Sequence, residues 1–158
     1  MSDDPVPPPD ITLRPYRAAE DLLPLVEIWH QASAIAHHFL GAERLAEHRD
    51  LIESIWLPAA ETHVALIGGE RAGFISLLGD VVGGLFVAPS HQGRGVGRAL
   101  LEHALEDRGA LELDVYLDNP KARAFYAAMG FEELSRSPQD REGLPFATAR
   151  LKKARALP

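Results

Sequence analysis

The sequence predicts a single α/β domain built on a mixed β-sheet, and three observations lead there. From residue 11 onward, runs with alternating apolar residues exchange with runs whose apolar residues recur every three or four positions, the marks of strand and helix. Residues 81 to 117 read strand, helix, strand, which is most simply a right-handed crossover in a mixed sheet. A chain of 158 residues with 46% hydrophobic content is long enough to bury one sizeable core, and a second domain is not expected.

Taken in order, "ITLRPYR" is a short strand. Asp21 is expected to cap a helix running through Trp29 and beyond, with Leu22, Val26 and Trp29 on one face and Pro24 at the third helical position. A second helix spans "AERLAEHRDLIESIWL", with Leu45, Ile52 and Ile55 on one side and Pro58 at its end. "THVALIGGERAGFISLL" reads as a β-hairpin turning at Gly68 and Gly69. In "VVGGLFV" the interior glycine pair marks a bulge or a close backbone approach. Residues 95 to 108 form a helix with Val96, Leu100 and Ala104 in line, Leu101 and Leu105 beside them, and Gly109 as its cap. "LELDVYL" returns as a strand; "PKARAFYAAMGF" is a short helix opened by proline and closed by Gly130. "FEELSRS" and "PFATARL" close the sheet as an antiparallel pair. The domain is expected over residues 11 to 152, between an acidic, proline-rich tail at 1 to 10 and a short tail at 153 to 158.

Composition excludes several functions. The net charge of -7 opposes a broad basic surface, so neither nucleic acid nor an anionic membrane is an expected partner. With no cysteine there are no disulfides, thiolate metal sites or cysteine nucleophiles. The N-terminus lacks the basic and apolar regions of a signal peptide and no run reaches membrane-span length, so a cytoplasmic protein is expected. His30, His38 and His48 read as solvated and scattered, and no metal site is expected.

The chemistry begins at "HQGRGVGRALLEHAL", where three glycines precede a helix. A helix N-terminus presents unpaired N–H groups and about half a positive charge, so it stabilises a phosphate that side chains do not obstruct. Gly93, Gly95 and Gly97 remove obstruction, and Arg94 and Arg98, four apart, can reach one anion. A P-loop would need lysine and a hydroxyl residue where Arg98 and Ala99 stand, and the G-x-G-x-G spacing is not the dinucleotide fingerprint.

"QGRGVG" matches Q-x-x-G-x-G, and the sequence resembles the GNAT superfamily of N-acetyltransferases, with Gln92, Gly95 and Gly97 on the motif's fixed positions. "DNPKARAFYAAMGF" is similar to the family's downstream N-x-x-A-x-x-F-Y-x-x-x-G-F segment. The resemblance, over residues 11 to about 152, implies a mostly antiparallel twisted sheet of six to seven strands, helices on both faces, and a splayed central parallel pair. It also implies acetyl-CoA as co-substrate, with the pyrophosphate on residues 92 to 98, Val96 included, and the pantetheine arm along Leu85, Phe86 and Val87. Closer resemblance is to a bacterial branch of small acetyltransferases, some acting on protein lysines, whose first-helix tryptophan and H-x-F pattern match Trp29, His37, Phe39 and Leu40.

Acetyl transfer from a thioester to an amine needs a neutral amine, a stabilised oxyanion and a proton for the thiolate. By resemblance, Tyr126 sits near the sulfur as general acid or hydrogen-bond donor, the backbone N–H of Phe86 or Val87 receives the oxyanion, and Asn119 holds the pantetheine chain or its neighbouring loop. A lysine amine has pKa about 10.4, so His37 is expected either to act as base or to orient the acceptor. Trp29, Phe39 and Phe146 are expected to line an apolar acceptor entry, although core packing accounts for Trp29 equally well, and Asp114 borders that cleft or lies on an exposed face. The expected function is acetyl-CoA-dependent N-acetylation of a primary amine, a protein lysine or a small amine, by direct attack in a ternary complex. The alternative is a non-catalytic acetyl-CoA-binding module. A homodimer through the C-terminal strands is compatible with either.

Overall fold

The computed structural model describes residues 10–155, so nearly all of the expected N-terminal tail and the last three residues of the chain lie outside the described residues. The strands are β1 (Ile11–Pro15), β2 (Glu61–Ile67), β3 (Glu70–Leu78), β4 (Val81–Val87), β5 (Ala110–Tyr116), β6 (Glu132–Ser137) and β7 (Thr148–Ala154). They form one seven-stranded sheet in the order β1-β2-β3-β4-β5-β7-β6. The first four form an antiparallel meander, β4 and β5 are parallel, and β7 lies antiparallel between β5 and β6. Lys153 and Ala154 still pair with Leu111 and Ala110, so the sheet extends past the domain end expected at 152.

Alternating strand residues feed two cores. On one face Ala65, Ile75 and Leu77 meet Val96, Leu100, Leu101, Ala104 and Leu105 of α4 (Val96–Asp107), the stripe expected from the sequence. On the other, Val64 and Phe74 meet Leu25, Val26 and Trp29 of α1 (Ala18–Ala36), together with Leu45 of α2 (Ala42–Leu51). The helix following α2 continues through a π turn at Ile52–Trp56 into α3 (Leu57–Ala59). That wider turn shifts the helical phase, which leaves Ile55 55% exposed instead of on the buried side with Leu45 and Ile52. The last helix, α5 (Pro120–Ala128), follows β5, with Asn119 Oδ1 capping the Ala122 N–H at 3.2 Å.

The interior glycines of β4 have separate reasons. Gly83 is the extra residue of a bulge, since Ser76 pairs with Gly84 and Leu77 with Val82. A Cβ on Gly84 would come within 2.7 Å of the Phe86 ring, so Gly84 makes room for that side chain. Gly109 is not the cap of α4; Arg108, extended at φ -131, ends it.

Asp21 does not cap α1 either. The helix starts at Ala18 with Arg17 as N-cap, which puts Asp21 in its first turn and Pro24 well inside. The fully buried Asp21 carboxylate accepts from Arg14 Nη1 and Nη2 at 2.7 and 2.8 Å, from Arg71 Nε at 2.7 Å and from the Arg17 N–H at 2.8 Å. It reaches back to the cap amide from within the helix, as the acid of a capping box does. Pro24 withholds the N–H that would bond the Glu20 carbonyl, and Arg71 Nη2 donates to that carbonyl at 3.0 Å instead. One arginine from β3 thus serves both the buried acid and the proline's orphaned acceptor.

The Arg14 guanidinium, with Arg71 and the Arg17 amide, holds the Asp21 carboxyl well below the usual aspartate range. A depressed carboxyl pKa contributes stability that is present above the unfolded value of about 3.9 and is lost as pH falls toward the native value. Resistance to urea unfolding should therefore fall below about pH 4. Asp21→Asn should cost about 3 kcal/mol at pH 7 and flatten that acid slope.

Candidate functional site

β4 and β5 share a single register pair, Val81 with Glu112. Beyond it the two strands splay. The Ala88 N–H donates to the Ala72 carbonyl at 2.8 Å, and bonding direction alternates along an antiparallel pair. Phe86 and Gly84 therefore direct their backbone groups to β3, while Leu85 and Val87 direct theirs into the gap. Of the two amides expected to receive an oxyanion, Val87 faces the opening and Phe86 does not.

The glycine loop lies at the same end of β4. Gly93 and Gly95 have φ of 77 and 87, and a Cβ on either would meet nothing within 4 Å, so the backbone bends freely in open space. Gly95 is the N-cap of α4 without a side-chain cap, and the N–H groups of Val96, Gly97 and Arg98 take no acceptor among the described residues. Gly97 has a packing role, since a Cβ there would come within 3.1 Å of Phe125 on α5. Gln92 Nε2 donates to the Val87 carbonyl at 3.3 Å and its Oε1 accepts from Lys121 Nζ at 3.0 Å, spanning the mouth of the splay. The two arginines diverge: Arg98 pairs with Glu102 at 3.1 Å, and Arg94 Nη1 contacts His91 Nδ1 at 3.2 Å.

His37 follows the last turn of α1 and meets the cap of α5. Its Nε2 lies 3.4 Å from Asn119 Nδ2. Because Asn119 Oδ1 already accepts from Ala122, its Nδ2 is the donor and His37 Nε2 the acceptor. The imidazole stands edge-on to Tyr116 at 5.1 Å and to Phe39 at 6.0 Å, and Phe39 contacts Tyr116 at 5.3 Å and Phe146 at 5.8 Å. Burial, with the nearby charge of His48 adding to it, lowers the His37 pKa to about 4. A groove of about 210 Å³ runs from Ala32, Ile35 and His38 to Gln92, Asn119 and Lys121; it touches the start of the glycine loop at Gln92, and its lining includes none of His37, Phe39, Tyr116 and Phe146. A larger hollow of about 390 Å³ beside Glu132, Leu134 and Lys152 contains none of these groups.

Other expected residues lie apart. Trp29 is 3% exposed and packs in the core beneath α1. Asp114 shares a face of β5 with Glu112, as alternation predicts, and accepts from Arg141 at 2.9 Å and Arg150 at 3.1 Å. Tyr126 is buried against Phe125 and Phe131 on the α4 side of the sheet. Its hydroxyl has no hydrogen-bond partner among the described residues and is not sealed off, while burial raises its pKa.

Sequence reasoning missed Tyr116 and the charged residues around the wall. Burial and the Asp140 carboxylate push the Tyr116 phenol up to about 12. His48 is buried rather than solvated, with its ring 5.6 Å from Trp56 and its Nε2 3.0 Å from Glu142, which also pairs with Arg44. The alternation of "LELDVYL" puts Tyr116 on the face of Glu112 and Asp114, a signal available before the fold was known.

A splayed parallel pair ending beside an uncapped, glycine-flanked helix start defines an acyl-transfer class, and comparison with known proteins agrees. Residues 58–133 match the Acetyltransferase (GNAT) domain family. Peptidyl-lysine N-acetyltransferase YjaB of Escherichia coli (strain K12) is 39% identical over 123 residues, covering 77% of this chain and 83% of that protein. Peptidyl-lysine N-acetyltransferase YiaC of the same organism is 31% identical over 126 residues, covering 79% and 86%. The solution structure of apo-form YjaB aligns with a TM-score of 0.82 at 37% identity, covering 90% of this chain and 97% of that one. The chain belongs to the GNAT acetyltransferase family, and its enzyme class is N-acetyltransferase.

His37 should be neutral throughout the physiological range. A lowered histidine pKa favours the uncharged ring in the folded state, so between about pH 6.5 and 4 protonation of the unfolded chain costs stability. NMR titration of His37 should give a midpoint near 4, and a midpoint near 6.5 would contradict the burial that produces the shift.

Proposed function

We propose that the chain transfers the acetyl group of acetyl-CoA to lysine side-chain amines of proteins, by direct attack in a ternary complex. The observation that carries this reading is the aromatic wall of Phe39, Tyr116 and Phe146 beside a neutral His37, whose Nε2 contacts Asn119, a residue that lines one groove together with Gln92 of the glycine loop. Such a wall suits the apolar stem of a lysine, and the two Escherichia coli relatives are named as peptidyl-lysine acetyltransferases.

The donor side fits acetyl-CoA. The backbone groups of Leu85 and Val87 have no strand partner on the β5 side, so an extended pantetheine arm can pair with them. The unbonded N–H groups at the start of α4 suit a pyrophosphate. The Val87 amide is the donor for a developing oxyanion. Tyr126 donates a hydrogen bond to the departing thiolate and keeps its proton, since burial raises the phenol above its ordinary value while a free thiol has pKa about 8.5. Of the two roles open to His37, orientation fits better than base catalysis, since its Nε2 lone pair accepts from Asn119 and its pKa is near 4. Asn119 then acts mainly on His37 and on the start of α5. The amine proton leaves to water.

The test is an acceptor screen with acetyl-CoA, lysine-containing peptides and small amines such as polyamines, reading coenzyme A release and the acetylated product. Peptide lysine acetylation supports the reading; turnover confined to small amines overturns the acceptor, and no turnover with either overturns both. In the same assay Tyr126→Phe should lower kcat about a hundredfold with acetyl-CoA affinity unchanged. Gly95→Glu, which puts a side chain and a negative charge at the helix start, should abolish coenzyme A binding.

A further inference from the structure

His91 has no part in the core or in the acetyl-transfer chemistry, yet it is buried beside the glycine loop. It closes the short 3-10 turn Pro89–His91 that leads from β4 into the loop. Among the described histidines it alone has a partner at each ring nitrogen: Arg94 Nη1 at 3.2 Å from Nδ1, and Glu70 Oε2 at 3.3 Å from Nε2. A guanidinium has only donors, so a hydrogen bond from Arg94 requires Nδ1 as the bare, accepting nitrogen, which leaves the hydrogen on Nε2, the side that the Glu70 carboxylate faces. That tautomer suits both neighbours, since the Glu70 carboxylate at the start of β3 lies on the Nε2 side.

The loop itself offers Arg94 little support. It stands between Gly93 and Gly95, whose surroundings are open to 4 Å, and the other loop cation, Arg98, is turned toward Glu102. An unanchored arginine loses side-chain freedom when it binds an anion. We propose that His91 is a positioning residue for the reaction, its Nε2–H imidazole facing Glu70 and its Nδ1 aiming Arg94 at the pyrophosphate of acetyl-CoA. The proposal rests on the reading of the glycine loop as the pyrophosphate site and extends it to two residues outside the motif.

Calorimetric titration with coenzyme A tests it on the unaltered protein, Arg94→Ala, His91→Leu, His91→Asn and the double variant Arg94→Ala/His91→Leu. Arg94→Ala and His91→Leu should each weaken binding about tenfold, and the double variant should bind no worse than Arg94→Ala alone. His91→Asn, whose amide oxygen can stand in for the Nδ1 acceptor, should recover most of the loss, which a purely space-filling role would not produce. Imidazole nitrogen spectra of the unaltered protein read the Nε2–H tautomer directly and do not depend on how any variant folds. Additive losses in the double variant, or an Nδ1–H tautomer, overturn the proposal. If Arg94→Ala leaves affinity unchanged while Gly95→Glu abolishes it, the relay falls and the loop assignment stands; if Gly95→Glu also binds normally, both fall.

Discussion

β4 and β5 pair at Val81 and Glu112 and then separate, which leaves the far half of β4 with amides and carbonyls that no strand accepts. Backbone groups buried without a partner are costly, but Leu85 and Val87 are only half-buried, so water or an added extended chain can pair with them. Gln92 partly meets the need by donating to the Val87 carbonyl. The rest of the site follows from the same break. A parallel pair requires a crossover, the crossover here is α4, and its N-terminus therefore lies where β4 ends and the gap opens. The bulge at Gly83 and the bare Gly84 let β4 bend while Phe86 keeps its ladder to Phe74.

The opposite wall depends on charge. Asp21 joins β1, α1 and β3 through Arg14 and Arg71, anchoring the helix that carries His37 at its far end. The same Arg71 repairs the gap that Pro24 makes in the helix ladder. Glu142, with Arg44 and His48, ties α2 to the segment between β6 and β7 that leads to Phe146. The aromatic wall is thus assembled from His37 and Phe39 after α1, Tyr116 at the end of β5 and Phe146 just before β7, and no single stretch of sequence contains it.

What the sequence made legible was local. The stripe on α4, the hairpin at Gly68 and Gly69 and the glycine-flanked helix start all rest on residues within a few positions of one another, and all appear as expected. What it concealed depended on distant partners. A carboxylate near a helix start looks like a cap until Arg71, fifty residues away, is seen to bind it. Ile55 fell off its predicted face because the helical period changed to a π turn within the same apolar run. Insertion of β7 between β5 and β6 cannot be read from two adjacent strand patterns, since either could have joined β5. Tyr116 and His48 escaped notice because an alternating strand and a polar helix fix which way a side chain points but not what it meets there.

Burial acts toward the uncharged form on three titratable groups of the candidate site. It raises Tyr126 and Tyr116 and lowers His37, so each is held in its uncharged form at neutral pH. A site that suppresses charge on its own side chains is poorly furnished with a strong base, and the transfer of a proton from an ammonium ion would meet no eager acceptor there. On the proposed function, the same desolvation would act on an amine brought between Phe39, Tyr116 and Phe146: it would disfavour the ammonium form and increase the neutral fraction that can attack a thioester. On that reading the environment does what a general base would otherwise have to do, and His37, neutral and in contact with Asn119, has the role of setting direction.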